Sequence, residues 1–144
     1  MKLIPNSHEK SIQTGRRYLE LKAHFDSFFN GAQYLLDPSS RIVNLSFDAS
    51  LDNNYFNVLF AGMQLRFQFV PSLLEDSSLH GVVYCLRESP KFIESKDIIG
   101  TFIFNGRGIT DFEVDDGNDC LEIEYNAGDI IMHFVNQALA KPLV

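Results

Sequence analysis

Met63, Leu65, Phe67 and Phe69 alternate strictly with Gln64, Arg66 and Gln68. A period of two places every apolar member of such a run on one side of an extended strand and every polar member on the other. The segment therefore reads as a half-buried strand of an antiparallel sheet, since a parallel strand is covered on both faces and has no polar side. The same alternation runs through Val43, Leu45 and Phe47 against Asn44, Ser46 and Asp48. Asp52, Asn53 and Asn54 then turn the chain into a strand from Tyr55 to Phe60. Further strands are expected from His80 to Arg87 and from Ile98 to Phe104, the latter followed by Asn105 and Gly106, a pair suited to a tight hairpin. Ile109 to Val114 and Cys120 to Tyr125 flank the loop residues Asp115, Asp116, Gly117, Asn118 and Asp119. The middle of the chain is thus a meander of about six or seven antiparallel strands.

On either side of the meander the period changes. Tyr18, Leu21, Phe25, Phe28, Ala32 and Leu35 recur at spacings of three and four, which aligns them on one stripe of a helix. Arg17, Glu20, Lys22, Asp26 and Gln33 fall largely on the opposite side. Asn30 and Gly31 predict an end to that helix in a left-handed cap before a short further turn, and Asp37 and Pro38 stop it. After Asn126, Ile131, Phe134, Val135 and Ala138 form a second stripe opposed by Asp129, His133, Asn136 and Gln137. The expected fold class is α+β: an antiparallel β-meander flanked by an N-terminal and a C-terminal amphipathic helix, in a single domain over residues 1–144. A chain of this length buries roughly 70% of its unfolded surface, so neither disulfides nor a structural metal are needed to hold it. Cys85 and Cys120, with no ligand-spaced neighbour, read as buried thiols in strands.

The charge is unevenly distributed. From Gly108 to Ala140 there is no lysine or arginine, while Asp111, Glu113, Asp115, Asp116, Asp119, Glu122, Glu124 and Asp129 contribute -8 against a total of -7, so the rest of the chain sums to +1. If Phe112 and Val114 face the core with Leu121, Ile123 and Tyr125, then Asp111, Glu113, Glu122 and Glu124 share the solvent face of one hairpin. Like charges standing opposite one another there cost on the order of 0.2–1 kcal/mol per pair. A basic protein partner, a cation, or solvent at a charged sheet edge could each offset that cost. The spacing of Asp111, Glu113, Asp115, Asp119 and Glu122 partly matches a calcium loop, but the required glycine comes one residue late at Gly117 and the flanks alternate like strands. No metal and no cofactor are expected.

Several function classes are disfavoured. A net charge of -7 and a basic cluster limited to Lys10, Arg16, Arg17 and Lys22 argue against a nucleic-acid partner. No apolar run approaches the roughly 20 residues of a membrane span, and MKLIPNSHEK turns polar too soon for a secretion signal, so a cytoplasmic protein is expected. There is no nucleophile elbow, phosphate loop, HExxH or CxxC, and His8, His24, His80 and His133 are scattered, so no reaction can be named. Thirteen phenylalanines and no tryptophan point to rings filling a gap between sheet and helix, or alternatively to an apolar ligand pocket with Tyr84, Arg66 or Thr101 as its polar groups.

In outline, a small acidic chain of helix, antiparallel sheet and helix resembles type III secretion chaperones and toxin immunity proteins. The resemblance is architectural and carries no residue roles. The expected function is that of a non-enzymatic protein-binding module whose partner-binding residues are Asp111, Glu113, Asp115, Asp116, Asp119, Glu122 and Glu124. Its most concrete form is an immunity or inhibitor-type protein that masks a basic partner such as a toxin. The alternatives are a small hydrophobic-ligand-binding domain and a secretion-chaperone-like protein, and a homo-oligomer is left open.

Overall fold

The computed structural model describes residues 1–88, 96–113 and 119–141. Helix α1 (Ser7–Gly31) leads through two short 3-10 turns, Gln33–Leu36 and Pro38–Ser40, into strands β1 (Leu45–Ser50), β2 (Tyr55–Phe60), β3 (Met63–Leu73), β4 (Leu79–Glu88), β5 (Lys96–Phe104), β6 (Ile109–Glu113) and β7 (Cys120–Glu122). Helix α2 (Ala127–Ala140) follows. The strands form one seven-stranded antiparallel meander in the order β1-β2-β3-β4-β5-β6-β7, and both helices pack on the same side of it. This is the expected α+β architecture. No described helix is long and apolar enough to cross a membrane.

The register follows the alternation. Leu65, Phe67 and Phe69 of β3 are buried while Gln64, Arg66 and Gln68 are not. In β4, Gly81, Val83, Cys85 and Arg87 are buried in the same alternating way. The β2–β3 connection is a two-residue turn in which Ala61 (φ 51°) and Gly62 (φ 81°) both lie in the left-handed region, the twist that matches two right-handed strands. The hairpin after β5 is wider than an Asn-Gly pair implies. The Asn105 side chain accepts the Arg107 and Ile109 amides at 2.9 and 3.1 Å, so residues 105–108 all belong to the loop.

Helix α1 begins well before the expected stripe, and residues 1–17 are all exposed. Its stripe is the predicted one, with Leu21, Phe25 and Phe28 fully buried and Ala32 and Leu35 continuing it. At the end of the helix Ala32 is right-handed, with φ -88°, so no left-handed cap forms and the chain tightens directly into a 3-10 turn. Against the stripe lie the rings of the sheet. Phe28 stands 5.4 Å from Phe56, 5.9 Å from Phe67 and 5.7 Å from Phe102, measured between centroids. Phe134 of α2 meets Phe67 at 5.9 Å and Phe102 at 6.0 Å.

The last turn of α2 is held by Arg87, whose guanidinium donates to the carbonyls of Ala138 and Lys141 at 2.7 and 3.0 Å and to Asp97 at 3.2 Å. A cation on the unpaired carbonyls of a helix C-terminus offsets both their hydrogen-bond deficit and the helix dipole. Lys141 donates to the other oxygen of Asp97, and that hydrogen bond, with the charges of Lys141 and Arg87, holds the Asp97 carboxyl below the usual carboxylate range.

Because Leu65 and Phe67 face the rings, Leu65→Asp or Phe67→Asp is expected to abolish cooperative folding. An unpaired buried charge costs several kcal/mol against a total stability of about 5–15 kcal/mol. Gln64→Asp is expected to leave the melting temperature nearly unchanged. Gln68 is less neutral, since its amide donates to the Asn53 and Asn54 carbonyls at 3.4 and 3.3 Å. Thermal melts followed by circular dichroism check the order, and comparable loss from Gln64→Asp and Leu65→Asp would contradict the register.

Candidate functional site

The acidic segment occupies the last edge of the sheet and the entry to α2. Asp111, Glu113, Asp119, Glu122, Glu124 and Asp129 are all exposed. Asp115 and Asp116, with Val114 and Gly117, lie outside the described residues. The hairpin departs from the expected pairing in three respects. Ile109 stands opposite Glu122 and Glu113 opposite Cys120, with an irregularity between them, so Glu113 and Glu122 are not cross-strand partners. β7 stops at Glu122, where the Asn126 side chain accepts the Glu122 amide at 2.9 Å and the Asn126 amide donates back to the Glu122 carbonyl at 2.8 Å. Alternation ends at that turn, which leaves Ile123 buried but Tyr125 84% exposed and removes Glu124 from the strand. Cys120 is also exposed, correcting the expectation of two buried thiols, because it lies on a strand with no neighbour beyond it. Cys85 is buried, and burial pushes its thiol up to about 12.

Three of the acids have local structural roles. The Asp111 carboxylate accepts the Ile103 amide at 3.0 Å, filling a position where β6 has left the backbone ladder of β5. Asp129 lies in the first turn of α2, where a negative charge is favoured. Glu124 meets one ring nitrogen of His24, while the other lies 2.9 Å from the Gly106 carbonyl. Both neighbours are acceptors, so a ring nitrogen that carries the proton donates to the one it faces. His24 thereby joins α1 to the loop after β5 and to the turn before α2. Among the described residues, Asp111, Glu113, Asp119, Glu122 and Asp129 have no ion-pair partner.

Beside this edge opens a cavity of about 380 Å³ lined by His24, Arg107, Gly108, Glu122, Glu124 and Tyr125. Two of the expected site residues line it, while His24, Arg107 and Tyr125 were not legible as site residues. Glu124 lies a hundred positions from His24, and no local spacing links them. Gly31 is what lets the turn approach α1: a Cβ there would stand 2.5 Å from the Glu124 carbonyl oxygen. A smaller cavity of about 190 Å³ lies at the other side of β6, between His80, Asn105 and Asp111. Among the described residues no cluster of three or more histidine, cysteine, aspartate or glutamate side chains has metal-binding geometry. The phenylalanine interior places ring against ring, at 5.2 Å for Phe56 and Phe67 and 5.4 Å for Phe25 and Phe69.

No family model, curated protein or solved structure matches the chain.

The glycines of α1 give the approach of this turn a direct check. Gly15 has nothing within 4 Å of an added Cβ, so Gly15→Ala is expected to stabilise the domain by about 0.5–1 kcal/mol through helix propensity alone. Gly31→Ala should instead cost about 1–3 kcal/mol, as the added methyl forces the turn carrying Glu124 away from α1. Urea unfolding of the two variants decides the matter, and equal stabilisation by both would contradict the close contact.

Proposed function

We propose that this chain is a non-enzymatic binding module that docks a basic protein through the acidic edge formed by Asp111, Glu113, Asp119, Glu122 and Glu124, with Asp115 and Asp116 belonging to the same run of sequence. The observation that carries the reading is the set of exposed carboxylates on and beside β6 and β7, of which Asp111, Glu113, Asp119 and Glu122 lack an ionic partner among the described residues. A field of one sign at the end of a rigid sheet raises the rate at which an oppositely charged surface arrives and orients it on arrival. The half-open cavity beside the edge, with the exposed Tyr125 ring at its rim, adds apolar area next to the charge. Tyrosine is among the residues that carry binding energy at such junctions. In its most concrete form the module is an immunity or inhibitor-type protein, masking a cationic surface of a toxin.

The test uses the protein captured by the wild-type chain from its native cell at low salt. Glu113→Gln, Asp119→Asn and Glu122→Gln together leave the Asp111 and Glu124 contacts in place, so the fold is expected to stay intact. The association rate should fall at least about tenfold and its dependence on salt should flatten, since exposed charges act chiefly on the encounter. An unchanged rate with an unchanged salt slope would mean that the edge serves only to block strand-to-strand aggregation.

A further inference from the structure

The helices cover one face of the sheet, and among the described residues no element lies over the other. That face is ordered in rows across the strands. Val70, Val82 and Ile103 stand side by side in β3, β4 and β5, as do Gln68, Tyr84 and Thr101, and then Arg66, Leu86 and Ile98. Arg66 lies within these rows with its guanidinium 3.9 Å over the Tyr55 ring, its Nε donating to Asn57 at 3.1 Å and its Nη2 3.5 Å from Glu88. Leu59, Val70 and Ile98 are 36%, 39% and 54% exposed. A solvated sheet face is ordinarily polar. This one carries aliphatic and aromatic side chains with a stacked arginine, Asn57 and Gln68 among them, and Ser46, Asp48, Gln64 and Thr101 lie toward its margins.

We propose that this face is the contact between two copies of the chain, which pair sheet to sheet in an isologous dimer. Charge favours a second copy as the occupant. The chain carries -7 overall, yet across the five strands this face holds Asp48 at one margin, Arg66 and Glu88, which pair with each other, and Lys96 at the register position opposite Glu88, so its formal charges sum to zero. Two copies therefore meet without the repulsion that the acidic edge would impose, and a basic partner finds no carboxylate field here. Area is sufficient. Five strands about 4.8 Å apart and seven residues at about 3.4 Å give a face of about 24 by 24 Å, or about 1,100 Å² over two copies, which clears the ~1,000 Å² of a specific interface. Two copies of one twisted sheet also pack face to face at a shallow angle, because each twist matches the other. Tyrosine and arginine within the patch and polar residues at its rim follow the usual anatomy of such contacts.

Sedimentation velocity of the full chain, from low to high micromolar, tests the proposal. The wild type is expected to approach twice its 16.4 kDa as concentration rises, with little dependence on salt. Val70→Lys and Ile98→Lys each replace a side chain already open to solvent, so circular dichroism should be unchanged while the dimer dissociation constant rises at least about tenfold. Glu113→Gln with Glu122→Gln should leave the dimer intact, which separates this contact from the acidic edge. A wild type that stays monomeric throughout, or a dimer that survives both lysines, would overturn the proposal.

Discussion

The ring of Phe28 touches rings from β2, β3 and β5 and a second ring of its own helix, at centroid spacings of 5.4–6.2 Å. Keeping that ring dry sets most of the remaining geometry. Large flat side chains pack well in edge-to-face contact and poorly beside voids, so the sheet must bring Phe56, Phe67 and Phe102 to fixed positions around one helical turn. A meander supplies them with short connections, because antiparallel neighbours need only tight turns. Phe134 closes the cluster from α2, and Arg87 holds the end of that helix in place from the sheet.

This arrangement divides the surface. One sheet face is consumed by the helices, which leaves the opposite face and the two edges of the sheet open among the described residues. The acids are concentrated at the β7 edge, whereas the open face is close to neutral. A strand edge with a row of charges resists pairing with another strand. A face of aliphatic and aromatic side chains whose charges balance invites burial. The two surfaces are thus suited to different partners, and the rigid core lets both be presented at once.

Much of this was legible in the residues. The strict alternation of β3 gave its register, and the stripe from Tyr18 to Leu35 gave the buried side of α1, because a face packed against many rings tolerates no polar interruption. The final hairpin was less legible. Leu121, Ile123 and Tyr125 alternate as a strand would, but the Asn126 side chain satisfies the Glu122 backbone and turns the chain early, a local hydrogen bond competing with the ladder. Tyr125 is exposed for that reason, whereas Cys120 is exposed because no strand lies beyond β7. The contacts of His24 with Glu124 and of Arg87 with the end of α2 join residues far apart in the chain, and no periodicity carries such information. The acidic edge was visible as composition, while the cavity beside it was not.

Under the proposed function the β6–β7 edge, and not the molecule's net charge at large, receives cationic partners. Titrating the isotope-labelled chain with a hexa-arginine peptide and following backbone amide shifts by NMR tests this without knowledge of the natural partner. Shifts confined to the neighbourhood of Asp111, Glu113, Asp119, Glu122 and Glu124, and lost at high salt, are the predicted result. Shifts spread evenly over the surface, or concentrated around Arg66 and Tyr84 on the open face, would contradict it.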